Sequence, residues 1–118
     1  MKKILIAEDN DSNFMLMTYI LKDKYETLRA VNGQDAVNLL KRTDVDLVLM
    51  DMKMPVMDGK EATRLIKAEH PNLPVVALTA NAFENDRQEA FAAGCDEFLS
   101  KPVNRVLCLD TIARLIGA

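Results

Sequence analysis

The chain has one histidine, His70, in 118 residues. That scarcity removes histidine-relay catalysis and most zinc chemistry, which draw on several imidazoles. It has two cysteines, Cys95 and Cys108, at a spacing that suits no metal pair. No apolar run exceeds six residues, whereas a membrane span needs about 20. Met1-Lys2-Lys3 leads into only four apolar residues before Glu8, too short a stretch for a secretory signal. The expectation is a cytoplasmic protein with free, reduced thiols and no membrane contact of its own. Basic blocks are also missing: 15 Lys and Arg stand against 18 Asp and Glu, for a net charge of −3. Binding to a nucleic-acid backbone therefore has no electrostatic footprint.

What is present suits one soluble domain, residues 1–118. Hydrophobic residues make up 49% and charged residues 28%, and a chain this long buries about two-thirds of its unfolded surface. Three short runs, Ile4–Ala7, Leu47–Met50 and Val75–Leu78, are apolar without alternation. Such runs read as strands buried on both faces of a parallel sheet. Two poorer runs, Tyr25–Ala30 and Glu97–Ser100, read as edge strands. Between them lie five helical stretches. The first spans Ser12–Lys22, capped by Asp11, with Phe14, Met17 and Leu21 inward. The second follows Asn32-Gly33, with Ala36, Leu39 and Leu40 inward. The third follows Gly59, carries Ala62, Leu65 and Ile66 inward, and stops before Pro71. The fourth, Phe83–Ala93, is weakly amphipathic and ends at Gly94. The fifth, Asn104–Ile116, turns Leu109, Ile112, Leu115 and Ile116 inward.

The pattern is an α/β, flavodoxin-like (βα)5 doubly wound sandwich. With the second and fifth strands at the edges, the parallel order is 2-1-3-4-5. Ligands of such sheets bind outside the carboxyl ends of the strands, where the order reverses. The first strand ends there in Glu8-Asp9, the third in Asp51, the fourth in Thr79 and the fifth in Ser100-Lys101-Pro102. Three clustered carboxylates repel one another unless a cation joins them. Hard oxygen ligands select Mg²⁺, with Mn²⁺ an alternative. A carboxylate can attack phosphorus to form an aspartyl phosphate, helped by Mg²⁺, the Lys101 ammonium and the Thr79 hydroxyl.

These residues carry a resemblance. Ile4–Asn10, Leu49–Gly59, Ala77–Ala80 and Phe98–Pro102, in that order and spacing, make the chain similar to the receiver domains of two-component response regulators. The match covers essentially the whole chain. It is nearest in flavour to receivers attached to hybrid sensor histidine kinases. The resemblance implies that Asp51 is the phosphoacceptor. It implies Mg²⁺ held by Asp9, by Glu8 through water, by Asp51 and by the main-chain carbonyl of Lys53. Lys101 would contact the phosphoryl group, Thr79 would move toward it, and Phe98 would swing inward behind Thr79. Lys53 and Asn81 would flank the path of the hydrolysing water. The proline matching Pro102 usually follows a cis bond. The partner would be a histidine kinase or histidine phosphotransfer domain. The responding surface would be helix four, strand five and helix five, which also allows a weak homodimer.

Other functions fit less well. A pseudo-receiver, binding partners without phosphorylation, would not need the intact set Glu8, Asp9, Asp51, Thr79 and Lys101. A haloacid-dehalogenase-like phosphatase wants an acid two residues after its nucleophile, where this chain has Lys53. A nucleotide-binding module wants a glycine-rich loop after the first strand, where Glu8-Asp9-Asn10-Asp11 would repel phosphate. His70 reads as a solvated helix end, and Met50, Met52, Met54 and Met57 as packing.

Overall fold

The computed structural model describes residues 1–80 and 84–117, without the side chains of residues 84 and 85. Strands and helices alternate: β1 (Lys3–Ala7), α1 (Asp11–Leu21), β2 (Glu26–Ala30), α2 (Gly33–Leu40), β3 (Leu47–Asp51), α3 (Gly59–Glu69), β4 (Val75–Thr79), α4 (Glu84–Ala93), β5 (Glu97–Ser100) and α5 (Arg105–Ile116). All strand pairs are parallel, in the order β2-β1-β3-β4-β5. The sandwich, its strand order and its two edge strands are those expected from the sequence.

Each central strand sends alternate side chains into two cores. Leu5, Ala7, Val48, Met50, Val75 and Ala77 meet α2, α3 and α4 through Ala36, Leu40, Ala62, Ile66 and Ala90. Ile4, Ile6, Leu47, Leu49, Val76 and Leu78 meet α1 and α5 through Met17, Ile20, Leu21, Cys108 and Ile112. Leu49 is fully buried, a burial that contributes about 1.5–3 kcal/mol. This double covering explains why the runs read as apolar without alternation.

Local chemistry sets the helix ends. Asn10, Asn32, Asp58 and Asn104 each cap a helix, the side-chain oxygen accepting an N–H three residues on. For α1 this corrects the expected cap: Asp11 is the first helical residue and Asn10 holds the end. Asn10 has the extended backbone that a cap requires, at φ −87° and ψ 122°. Gly94 closes α4 at φ +112°, a conformation that suits glycine. Leu65, expected inward, is 40% exposed, and Thr63 is buried in α3 instead. The inward stripe is Gly59, Ala62, Thr63 and Ile66, spaced three, four and seven apart. Thr63 tolerates burial because its hydroxyl donates to the Gly59 carbonyl at 2.7 Å. Leu39, Leu109, Leu115 and Ile116, expected inward, are half-buried. The first residue expected in α4, Phe83, lies outside the described residues.

Candidate functional site

The rim at the carboxyl ends is built by the strands themselves. The β1 ladder runs one residue on, with Glu8 N donating to Ala30 O at 3.0 Å. Glu8 is thereby fully buried, while Asp9 beside it is exposed. Asp51 ends β3 and Thr79 ends β4, each 5% exposed. Lys101 N donates to Thr79 O at 2.7 Å, which hangs the lysine beside β4. The Lys101-Pro102 bond is cis. Gly59 packs α3 against the end of β3. A Cβ there would lie 2.2 Å from the Asp51 carbonyl oxygen, so no larger residue fits without displacing the rim.

Glu8, Asp9 and Asp51 each offer a carboxylate oxygen, and these atoms lie within 4.8 Å of one another. Lys101 Nζ is 2.8 Å from Glu8 Oε1 and 3.2 Å from Asp51 Oδ1. The Lys53 N–H donates to Asp51 Oδ1 at 3.2 Å. Glu8 Oε2 accepts the Asn10 N–H at 3.3 Å. Burial pushes the Glu8 carboxyl above its usual range; the Lys101 ammonium opposes that shift and the Asp51 charge adds to it. Burial works against the Lys101 charge too, but Glu8 and Asp51 outweigh it and the ammonium is held more firmly than usual.

Two buried atoms lack an aligned hydrogen bond among the described residues: Glu8 Oε1, whose contact with Lys101 is one of charge, and Thr79 Oγ1. Orphaned buried polar atoms are costly. Three carboxylates that share one ammonium fit a hard divalent cation, and the orphaned Thr79 hydroxyl fits an incoming oxyanion. Thr79 lines a cavity of about 570 Å³ together with Asp51, Lys53, Met54 and Lys101. On its far side Lys60 of α3 pairs with Glu89 of α4 at 2.9 Å.

Of the residues expected at the site, Glu8, Asp9, Asp51, Thr79 and Lys101 stand together, with the Lys53 main chain against Asp51. Asn81 lies outside the described residues. Phe98 sits apart, half-buried, with its ring edge-on to Phe91 at 6.2 Å and under Arg87 at 5.1 Å. His70 caps the far end of α3, away from the rim. Sequence reasoning missed Arg29 of β2. Its guanidinium donates to the Glu8 carbonyl from Nε at 3.2 Å and Nη2 at 3.1 Å, and to the Asp9 carbonyl at 3.4 Å. The only sequence signal was a lone basic residue near the end of an edge strand.

Comparison with known proteins agrees with this geometry. The model of the response regulator receiver domain matches residues 4–113. The chain is 39% identical to the sensor protein GacS of Pseudomonas syringae pv. syringae, over 98% of the chain but 13% of GacS. It is 34% identical to the polar-differentiation response regulator DivK of Brucella anthropi, over 98% of the chain and 97% of DivK. It thus spans a small part of one relative and nearly all of another. Among solved structures, the receiver domain of sensor histidine kinase PA1611 from Pseudomonas aeruginosa PAO1, with magnesium coordinated in its active-site cleft, superposes at a TM-score of 0.92. That pair shares 36% identity over 99% of this chain and 98% of the other. The receiver domain of Saccharomyces cerevisiae Ssk1, solved with the histidine phosphotransfer protein Ypd1, superposes at 0.91. It is 32% identical over 98% of this chain and 88% of the other. Family match, strand order and rim together identify the chain as a member of the response regulator receiver domain family.

Proposed function

We propose that residues 1–118 act as one receiver domain, a phosphoacceptor switch in which Asp51 takes a phosphoryl group from a phosphohistidine on a histidine kinase or histidine phosphotransfer domain. The observation that carries this is the meeting of Glu8, Asp9 and Asp51 oxygens within 4.8 Å beside the Lys101 ammonium. Glu8, Asp9, Asp51 and the Lys53 main-chain carbonyl would hold Mg²⁺, or Mn²⁺ in its place. When bound, that ion neutralises charge on the phosphoryl oxygens. The Lys53 N–H and Lys101 both reach Asp51 Oδ1, so Oδ2 is the oxygen open to phosphorus. An oxygen–phosphorus bond forms there as the phosphorus–nitrogen bond breaks. The electron pair leaves with the imidazole, which picks up a proton. Lys101 offsets the charge of the transferred group, and the Thr79 hydroxyl donates a hydrogen bond to one of its oxygens.

The chain's own histidine cannot be the donor, since His70 caps α3 away from the rim. The working place is the cytoplasm, within a phosphorelay and in the setting of a hybrid sensor kinase. No described helix is long and apolar enough to cross a membrane. Incubation with acetyl phosphate and Mg²⁺, read by mass spectrometry, should add one phosphoryl group to the native chain and none to Asp51→Asn. A variant that gains the same mass would refute the assignment.

The output is the surface of α4, β5 and α5, which also supplies a weak homodimer contact. Among its described side chains α4 buries only Ala90 and Ala93, so its hold on the sheet is shallow. Thr79 moving to the phosphoryl group opens space that the Phe98 ring fills, a two-state change biased by local charge. With beryllofluoride and Mg²⁺, amide shifts should change from Ala80 to Leu107. Changes confined to the rim would refute the switch.

A further inference from the structure

Arg29 is the one basic residue of β2, and its contacts converge on the loop that carries two of the clustered acids. Besides the Glu8 and Asp9 carbonyls, Nη2 pairs with Asp11 Oδ1 at 2.8 Å. The guanidinium stands over the Phe14 ring of α1, its carbon 4.6 Å from the ring centre. That contact adds to the hold on Arg29, whose fork reaches residues 8, 9 and 11 together. The same segment is also tied by the bond from Glu8 N to Ala30 O and by the Asn10 cap on Asn13 N.

Asp9 depends on this hold most. Its carboxylate has no partner of its own among the described residues, so its direction follows from where the main chain places it. Asp11 pairs with Arg29 and stands outside the cluster of Glu8, Asp9 and Asp51. The charge arithmetic matters as well. A lone guanidinium near three acids would compete with a bound cation, but Asp11 cancels its charge at 2.8 Å. What remains of Arg29 at the rim is geometry.

We infer that Arg29 is a positioning residue for the metal-binding acids: its fork on the Glu8 and Asp9 carbonyls and on Asp11 sets the direction of the Asp9 carboxylate and so raises the affinity for Mg²⁺. This rests on the metal site proposed above. Geometry and charge predict opposite signs, which makes the test sharp. Arg29→Ala frees the Asp11 carboxylate, adding negative charge that would tighten Mg²⁺ binding if charge governed. Arg29→Lys keeps the charge but offers a point in place of a planar fork, and it guards against a misfolded alanine variant.

Isothermal calorimetry with MgCl₂ should find both variants about 10-fold weaker than the native chain, the size typical of lost outer support at metal ligands. Circular dichroism should remain native. Phosphorylation by acetyl phosphate should need about 10-fold more Mg²⁺ for half-maximal rate in both variants and reach the native rate at saturation. A role confined to fold stability would lower the melting temperature and leave the Mg²⁺ affinity alone, which would overturn the inference. Native or tighter binding in Arg29→Lys would also overturn it. A native chain that binds no Mg²⁺ would refute the metal site itself, and this inference with it.

Discussion

At the amino ends of the strands, Asp46 and Asp96 each accept a main-chain N–H, from Lys3 at 2.7 Å and from Val75 at 2.9 Å. Asp96 also has Lys67 at 2.7 Å. At the carboxyl ends, Glu8 and Asp51 share one ammonium, and Asp9 has none among the described residues. Each amino-end acid has donors to itself, whereas the three clustered acids at the carboxyl ends share a single ammonium. A satisfied carboxylate holds loops together. An under-compensated cluster stores repulsion that a divalent cation relieves.

The largest effect should come from adding Mg²⁺. At about 100 times its dissociation constant it should stabilise the native chain by roughly 2.7 kcal/mol, seen as a rise in melting temperature. Asp9→Asn should raise the metal-free melting temperature and shrink the response. Asp96→Asn, at the other end, should lower the metal-free stability by about 1–3 kcal/mol and leave the response whole. Equal Mg²⁺ responses in the two variants would erase the contrast between the ends.

A smaller effect concerns groups that burial perturbs away from the rim. Burial pushes the Cys95 and Cys108 thiols up to about 11 from a reference of 9.0. The folded chain therefore keeps these protons after the unfolded chain has lost them. Stability should fall as pH rises from about 9 to about 11, with the native advantage complete below that window. Cys95→Ala and Cys108→Ala should each flatten the decline in denaturant titrations at successive pH values. An unchanged decline in both would show that other groups raised in the fold, Tyr25, Lys60 or Lys101, govern the alkaline limb.

The smallest effect falls within the rim. The Lys53 side chain carries only donors, so it cannot accept a hydrogen bond from the attacking water. Its ammonium would pair with phosphoryl oxygens and cover the line of attack. Lys53→Ala should then lose its phosphoryl group several-fold faster, about the scale of one partly exposed charge contact. Slower loss in the variant would mean that the lysine stabilises the transition state instead.

Much of this was legible because it is local. Uninterrupted apolar runs reported strands covered on both faces, and the ends of those runs named Glu8, Asp9, Asp51, Thr79 and Lys101 as neighbours. The inward face of α3 was misjudged at Leu65 because hydrophobicity alone does not reveal that Thr63 can satisfy its hydroxyl on Gly59 O. The α1 cap was placed one residue late because Asn10 and Asp11 are both good caps and only backbone angles separate them. Arg29 was invisible because its partners lie about twenty residues away, in the segment that leads from β1 into α1.

The sequence by itself determined the alternation of strands and helices, the two edge strands and the list of acids at the strand ends. Periodicity and strand-end chemistry are properties of neighbouring residues, so they survive without the fold. The tertiary structure decided how those acids differ. Glu8 is buried with its carboxyl raised and Asp9 is exposed beside it. Thr79 is left with a hydroxyl lacking a partner among the described residues, and Arg29 is clamped on the loop between β1 and α1. Those differences come from desolvation and from contacts across the sheet, which exist only once distant segments share one low-dielectric rim.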